Sequence, residues 1–274
     1  MMPLSPEESE LAGALERAID GNELSLVYQP KLRLQTGRVE GVEALARWIR
    51  CGEAVGPARF IPLAERSGTI DKLTFWVLKT ALRQWVSWKE QGVPVGIAIN
   101  VSAVTLRNLD FPDLLLRLCH LEGVPPDQIT VELTEGATQH VIRLLDTLTR
   151  FRIKGMNVAL DDFGTGYSSL LQLRQLPFTE LKIDQQFVHD IATSEESRLI
   201  VRSVIDLAHA LGLTAVAEGV EDAETLRLLA RFGCDQAQGF FVARAMPPVD
   251  LVPWILDTAG KWQEVCGGEA RLAS

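Results

Sequence analysis

From about residue 95 the chain repeats one pattern. A short apolar run ends in polar residues, and a longer stretch follows with apolar residues at helical spacing. The short runs at 95–100, 129–134, 157–162, 180–184, 214–218 and 235–242 read as strands. Helical spacing is clear in Val141, Leu144, Leu145, Leu148 and Phe151, and again in Ile200, Val204, Leu207, Ala208 and Leu211. Further helices are expected at 114–121, 168–175 and 222–232, with a last one beginning at 251–256. Gly92, Gly123, Gly155, Gly212 and Gly233 stand where helix ends need stops. Strands alternating with helices at this interval build a parallel sheet.

Ahead of this repeat, 24–34 and 39–48 read as a hairpin around Thr36-Gly37. A long helical region then spans 61–90, with Trp76, Leu78, Leu82 and Trp85 on its apolar side. Eight strands over about 240 residues predict an α/β fold, a modified (β/α)8 TIM-type barrel whose first strand runs antiparallel to the rest. Residues 1–23 are expected to form an N-terminal helix or linker, 24–258 the barrel, and 259–274 a C-terminal tail.

A formal net charge of −9 argues against binding long nucleic acid through its phosphates. A small anionic ligand remains compatible with it, because a bound divalent cation reverses the local field. Cys51, Cys119, Cys234 and Cys266 are scattered without CxxC spacing, which suits a reducing cytoplasm better than a disulfide framework or a zinc site. No apolar run approaches the roughly 18 residues of a membrane span, nor is a signal peptide legible, so a cytoplasmic location is expected.

Chemistry collects at the ends of the strands. The apolar Val158-Ala159-Leu160 stops at Asp161-Asp162, and the glycine-containing loop Phe163-Gly164-Thr165-Gly166-Tyr167-Ser168-Ser169 follows. Taken alone, this could be a solvated strand end with Ser168 capping the next helix. In a barrel, however, the C-terminal ends of all strands share one mouth. The same height carries Glu43, Asn100, Glu132, Lys182, Asp184, Glu218 and Gln238, with Leu45 and Arg47 on the face of Glu43 and Glu221 three residues past Glu218. A ring of carboxylates repels itself unless cations intervene. His120, His140, His189 and His209 fall on helices or loops, which leaves an all-oxygen set suited to Mg²⁺ or Mn²⁺. Adjacent Asp161 and Asp162 suggest two ions sharing one carboxylate, an arrangement that performs in-line displacement at phosphorus.

The motifs VEALARW at 42–48, INVS at 99–102, ELTE at 132–135, DDFGTGYSSL at 161–170, LKID at 181–184, AEGVE at 217–221 and QGF at 238–240 together resemble the EAL family of cyclic-di-GMP phosphodiesterases, over about residues 20–255. The resemblance implies a modified barrel with an antiparallel first strand. It also implies hydrolysis of cyclic di-GMP to linear pGpG at a site holding two Mg²⁺ or Mn²⁺ ions. Glu43, Asn100, Glu132 and Asp161 would hold one ion, and Asp161, Asp162 and Glu218 the other. Glu43, Lys182 and Glu218 would be catalytic, with either Lys182 or Glu218 as general base. Arg47 would meet phosphate, Gln29 would line a guanine pocket, and Asp184 and Gln238 would sit at the substrate. Glu221 and Gln238 would position water and ligands, while Glu135 would pin the loop 163–169, which in the family couples the metals to a dimer interface. A homodimer is therefore implied, as is a longer parent protein with sensor or GGDEF domains.

Departures from the family pattern are ELTEG, which puts Gly136 in place of a serine, QGF for an aromatic with a polar group, and ARAMP at 243–247, which weakens the substrate role of Arg244. Two other readings compete: a catalytically silent cyclic-di-GMP receptor, and an unrelated barrel acting on a sugar phosphate.

Overall fold

The computed structural model describes residues 4–21, 23–136, 141–164 and 170–267. A helix, α1 (Pro6–Asp20), precedes the hairpin of β1 (Leu24–Arg33) and β2 (Arg38–Arg50). After a three-residue strand β3 (Glu53–Val55) come α2 (Pro57–Ser67) and α3 (Ile70–Glu90). The alternating part then runs β4 (Gly96–Asn100), α4 (Phe111–Glu122), β5 (Ile129–Thr134), α5 (Val141–Ile153), β6 (Asn157–Phe163) and α6 (Leu170–Gln175). It continues with β7 (Glu180–Ile183), α7 (Gln185–Val188), α8 (Glu195–Ala210), β8 (Thr214–Ala217), α9 (Ala223–Arg231) and β9 (Gln236–Ala237), and ends with α10 (Pro248–Asp257) and α11 (Lys261–Gly267).

The sheet closes on itself. The strands β2, β4, β5, β6, β7, β8 and β9 follow one another in parallel, and β1 completes the circle antiparallel to both β2 and β9. The expected barrel with an antiparallel first strand is thus the fold. Strands buried on both faces read as near-continuous apolar runs, and β5 is buried at five of its six residues. Trp48, Phe60, Trp88 and Phe151 fill the layer between strands and helices. Among the described residues no helix is long and apolar enough to cross a membrane.

Several elements differ from the sequence reading, among them the short helices α7 and α11, which it did not expect. The long helix expected over 61–90 is two helices, because Gly68 turns left-handed at φ 79° and stops α2. The last strand, expected over 235–242, pairs only at Gln236 and Ala237. Beyond these the backbone leaves the ladder: Val220 N donates to Gln238 O (3.1 Å) and Phe241 N donates to Val220 O (2.9 Å). The short β3 pairs with the end of β2 and was not anticipated. Downstream of residue 258, α11 packs against the barrel, with Trp262 buried and its ring edge-on to Phe241 at 6.0 Å.

Candidate active site

Lys182, on β7, is the centre of the barrel mouth. Its Nζ lies 2.7 Å from Glu218 Oε1, 2.9 Å from Asp161 Oδ1, 3.1 Å from Glu132 Oε2 and 3.6 Å from Glu43 Oε2. Each carboxylate comes from a different strand or from the residue just after one (Glu43 from β2, Glu132 from β5, Asp161 from β6, Glu218 after β8), so the closure of the sheet, not proximity in the chain, assembles the cluster. Two groups of three emerge. Glu43, Glu132 and Asp161 form one, Asp161, Asp162 and Glu218 the other, and within each group one oxygen per residue lies within 4.8 Å of the others. Asp161 belongs to both.

Consecutive strand residues normally point to opposite faces, yet Asp161 and Asp162 line the same cavity. The register of β6 against β7 slips between Leu160 and Phe163, and Asp162 adopts a left-handed φ of 55°. Such a bulge re-aims side chains at functional sites. The Asp162 amide donates to Asp161 Oδ1 at 2.9 Å, which ties the pair together.

Amides hold the first of these carboxylates in place. Glu43 accepts Asn100 Nδ2 on Oε1 and Gln238 Nε2 on Oε2, both at 2.7 Å. Gln238 Nε2 also donates to Gln29 Oε1 at 3.1 Å. Burial pushes the Glu43 carboxyl upward, but Lys182, Lys31 and these amides outweigh it and hold it at about 2. For Glu132 burial dominates and raises it to about 7, even between two lysines. Glu218 rises to about 8 for the same reason, helped by Asp161 and Glu43. Asp162 is raised by burial and by Asp161.

Five carboxylates therefore face two ammonium groups, Lys182 and Lys31. The excess negative charge in a buried, all-oxygen pocket is what a hard divalent cation neutralises. The donor set fits Mg²⁺ or Mn²⁺.

The mouth is a two-part trough. Its acidic end, of about 300 Å³, is lined by Gln29, Glu43, Asp161, Asp162, Lys182 and Glu218 among others. Beside it a largely apolar groove of about 460 Å³ runs past Leu45, Arg47, Ile61, Leu73 and Asn100. Leu45 borders both. Arg47 stands in the groove, its Nη1 donating to Ala46 O at 3.0 Å.

Other expected residues are placed less directly. Asp184 lines the acidic end and caps α7, accepting from Gln186 N at 2.8 Å. Buried Glu135 accepts from Gly164 N at 3.0 Å, at the start of the loop that it was expected to pin. Residues 165–169 of that loop and His140 lie outside the described residues. Glu221 lines the acidic end at its exposed rim, 3.7 Å from His189 Nδ1.

The model of the family described as "EAL domain" matches residues 12–245. The chain belongs to the EAL domain family. The EAL domain is 40% identical over 248 residues to the cyclic di-GMP phosphodiesterase PA2567 of Pseudomonas aeruginosa, covering 89% of this chain and 42% of the relative. With the cyclic di-GMP phosphodiesterase PdeR of Escherichia coli it shares 37% identity over 242 residues, 88% of this chain and 36% of PdeR. The chain thus spans well under half the length of these relatives. A solved structure described as "PaMucR Phosphodiesterase, c-di-GMP complex" superposes with a TM-score of 0.83 at 36% identity, covering 88% of this chain and 99% of that one.

Sequence reasoning missed Lys31 and Glu180, which meet inside the EAL domain's barrel. Lys31, on β1, is buried with its Nζ 2.6 Å from Glu132 Oε1. The available signal was period two: Gln29 and Lys31 share a strand face, and the resemblance places Gln29 at the guanine pocket.

Proposed function

We propose that this EAL domain hydrolyses one 3′–5′ phosphodiester of cyclic di-GMP to give linear pGpG. One observation carries the reading: two carboxylate triads sharing Asp161 surround the buried Lys182 at the barrel mouth. The names of the relatives PA2567 and PdeR support the choice of substrate.

Glu43, Asn100, Glu132 and Asp161 would hold one Mg²⁺ or Mn²⁺, and Asp161, Asp162 and Glu218 a second. When bound, such ions supply charge neutralisation at the phosphate and acidify a water. The chain's own groups do the rest. Burial works against the Lys182 ammonium, but Glu132, Glu43, Glu218 and Asp161 raise its pKa well above the ordinary lysine value. Lys182 therefore serves as a donor that orients the attacking water or a phosphate oxygen, and we assign proton acceptance to Glu218. Asn100 and Gln238 fix Glu43 through its two oxygens. The apolar groove beside Leu45 suits a flat base, with Arg47 at hand for phosphate and Gln29 and Asp184 at the other end of the trough.

The test is to incubate the purified protein with cyclic di-GMP and Mn²⁺, with and without EDTA, and to separate the nucleotides by chromatography. EDTA-sensitive appearance of pGpG is expected. Saturable nucleotide binding with no product in excess Mn²⁺ would overturn hydrolysis in favour of a receptor.

A further inference from the structure

Beneath the mouth, the barrel interior holds a chain of alternating charges. Thr130 Oγ1 donates to Glu180 Oε1 at 3.1 Å, and Glu180 Oε2 lies 3.8 Å from Lys31 Nζ. Lys31 Nζ in turn meets Glu132 Oε1 at 2.6 Å, and the other oxygen of Glu132 meets Lys182 at 3.1 Å. Lys31 is 3% exposed and Glu132 is fully enclosed.

Stability alone does not account for Lys31. Burying an ion pair costs several kcal/mol of desolvation per ion, and well-packed apolar residues often do as well or better. Nor does Lys31 reach a ligand directly, since it lines neither part of the trough. What it touches is one oxygen of a carboxylate whose other oxygen faces the cluster of Glu43, Asp161 and Lys182.

We propose that Lys31 is a positioning residue. By fastening Glu132 Oε1 from below, it turns Oε2 toward Glu43 and Asp161 and so sets the affinity of the cation site that these three residues form. This rests on the metal-site assignment made above. The sign of the effect is diagnostic. Lys31 is itself a cation beneath a cation site, so simple electrostatics predicts that removing its charge tightens divalent binding. Positioning predicts the reverse, because loss of the partner that orients a ligand typically weakens metal affinity by about 10–100-fold.

The experiment titrates Mn²⁺ into metal-free protein and counts free Mn²⁺ by its EPR signal. Wild type is compared with Lys31→Met, Glu132→Gln and the double variant, each checked for folding by circular dichroism. Lys31→Met is expected to lose about tenfold or more in Mn²⁺ affinity. In the Glu132→Gln background, Lys31→Met should no longer weaken binding, because the contact through which Lys31 orients the ligand is gone and only its repulsive field on the site remains. Tighter or unchanged binding in Lys31→Met overturns the proposal while leaving the metal site standing. Equal losses in both backgrounds also overturn it. If Lys31→Met alone does not fold, the double variant removes the stranded carboxylate, and weaker binding than Glu132→Gln then refutes the proposal. Absence of Mn²⁺ binding in wild type would instead overturn the metal-site assignment and this proposal with it.

Discussion

Asp162 shows how one residue's conformation determines what a strand end can do. A regular β6 would send Asp161 and Asp162 to opposite faces; the left-handed φ of 55° brings both to the mouth. Concentrating acids this way has a consequence for stability. Glu132 and Glu218, with folded-state values of about 7 and about 8, have an ordinary value of 4.5. Between those limits the folded chain binds more protons than the unfolded one, so its stability falls as pH rises through the window. Glu43, held at about 2, has the opposite sign: its contribution is present above 4.5 and is lost as pH falls toward 2. In EDTA, therefore, thermal unfolding measured between pH 5 and about 9 should show Tm declining as pH increases. Saturating Mn²⁺ should flatten or reverse that slope, because a cation takes the place of the protons.

At the scale of elements, the mouth depends on loops that pack on one another. The four-residue α7, capped by Asp184, stands beside the loop after β8. There Gly219, at φ 69°, follows Glu218 directly, and a Cβ on it would lie 2.4 Å from Gln185 Cβ. Neither strain nor clash can be relieved without moving the neighbouring carboxylate. Gly219→Ala is therefore expected to lower kcat at least tenfold and to cost about 1–3 kcal/mol in denaturant unfolding. A variant with wild-type turnover would show that Glu218 does not depend on this packing.

Across the whole molecule, α1 is joined to the barrel's outer layer. Its capping box pairs Ser5 with Glu8, and ion pairs connect Glu8 to Arg66, Glu10 to Arg50, and Asp20 to Lys72. These exposed pairs contribute little each. The buried Leu11, Leu15, Ala18 and Ile19 contribute more. Leu15→Ala should cost about 2–5 kcal/mol by urea unfolding. Because α1 packs on α2, and α2 and α3 supply Ile61 and Leu73 to the apolar groove, the same variant should raise KM for cyclic di-GMP more than it lowers kcat. The sequence by itself determined the order of strands and helices, the antiparallel start and the polar residue at each strand end, because hydrophobic periodicity is a local property that each segment expresses alone. Gly68 carries the same stop signal as Gly92 and Gly123, but the apolar pattern that runs on across it hides the break between two helices. The sequence also could not show where β9 stops or which oxygen of Glu132 each lysine takes. Those follow from closure of the barrel, which sets β1 beside β9 and seats Lys31 against a carboxylate 101 residues away. Only the tertiary structure decides pairings of that range, because nothing in the intervening chain encodes the register at which the two ends of a sheet meet.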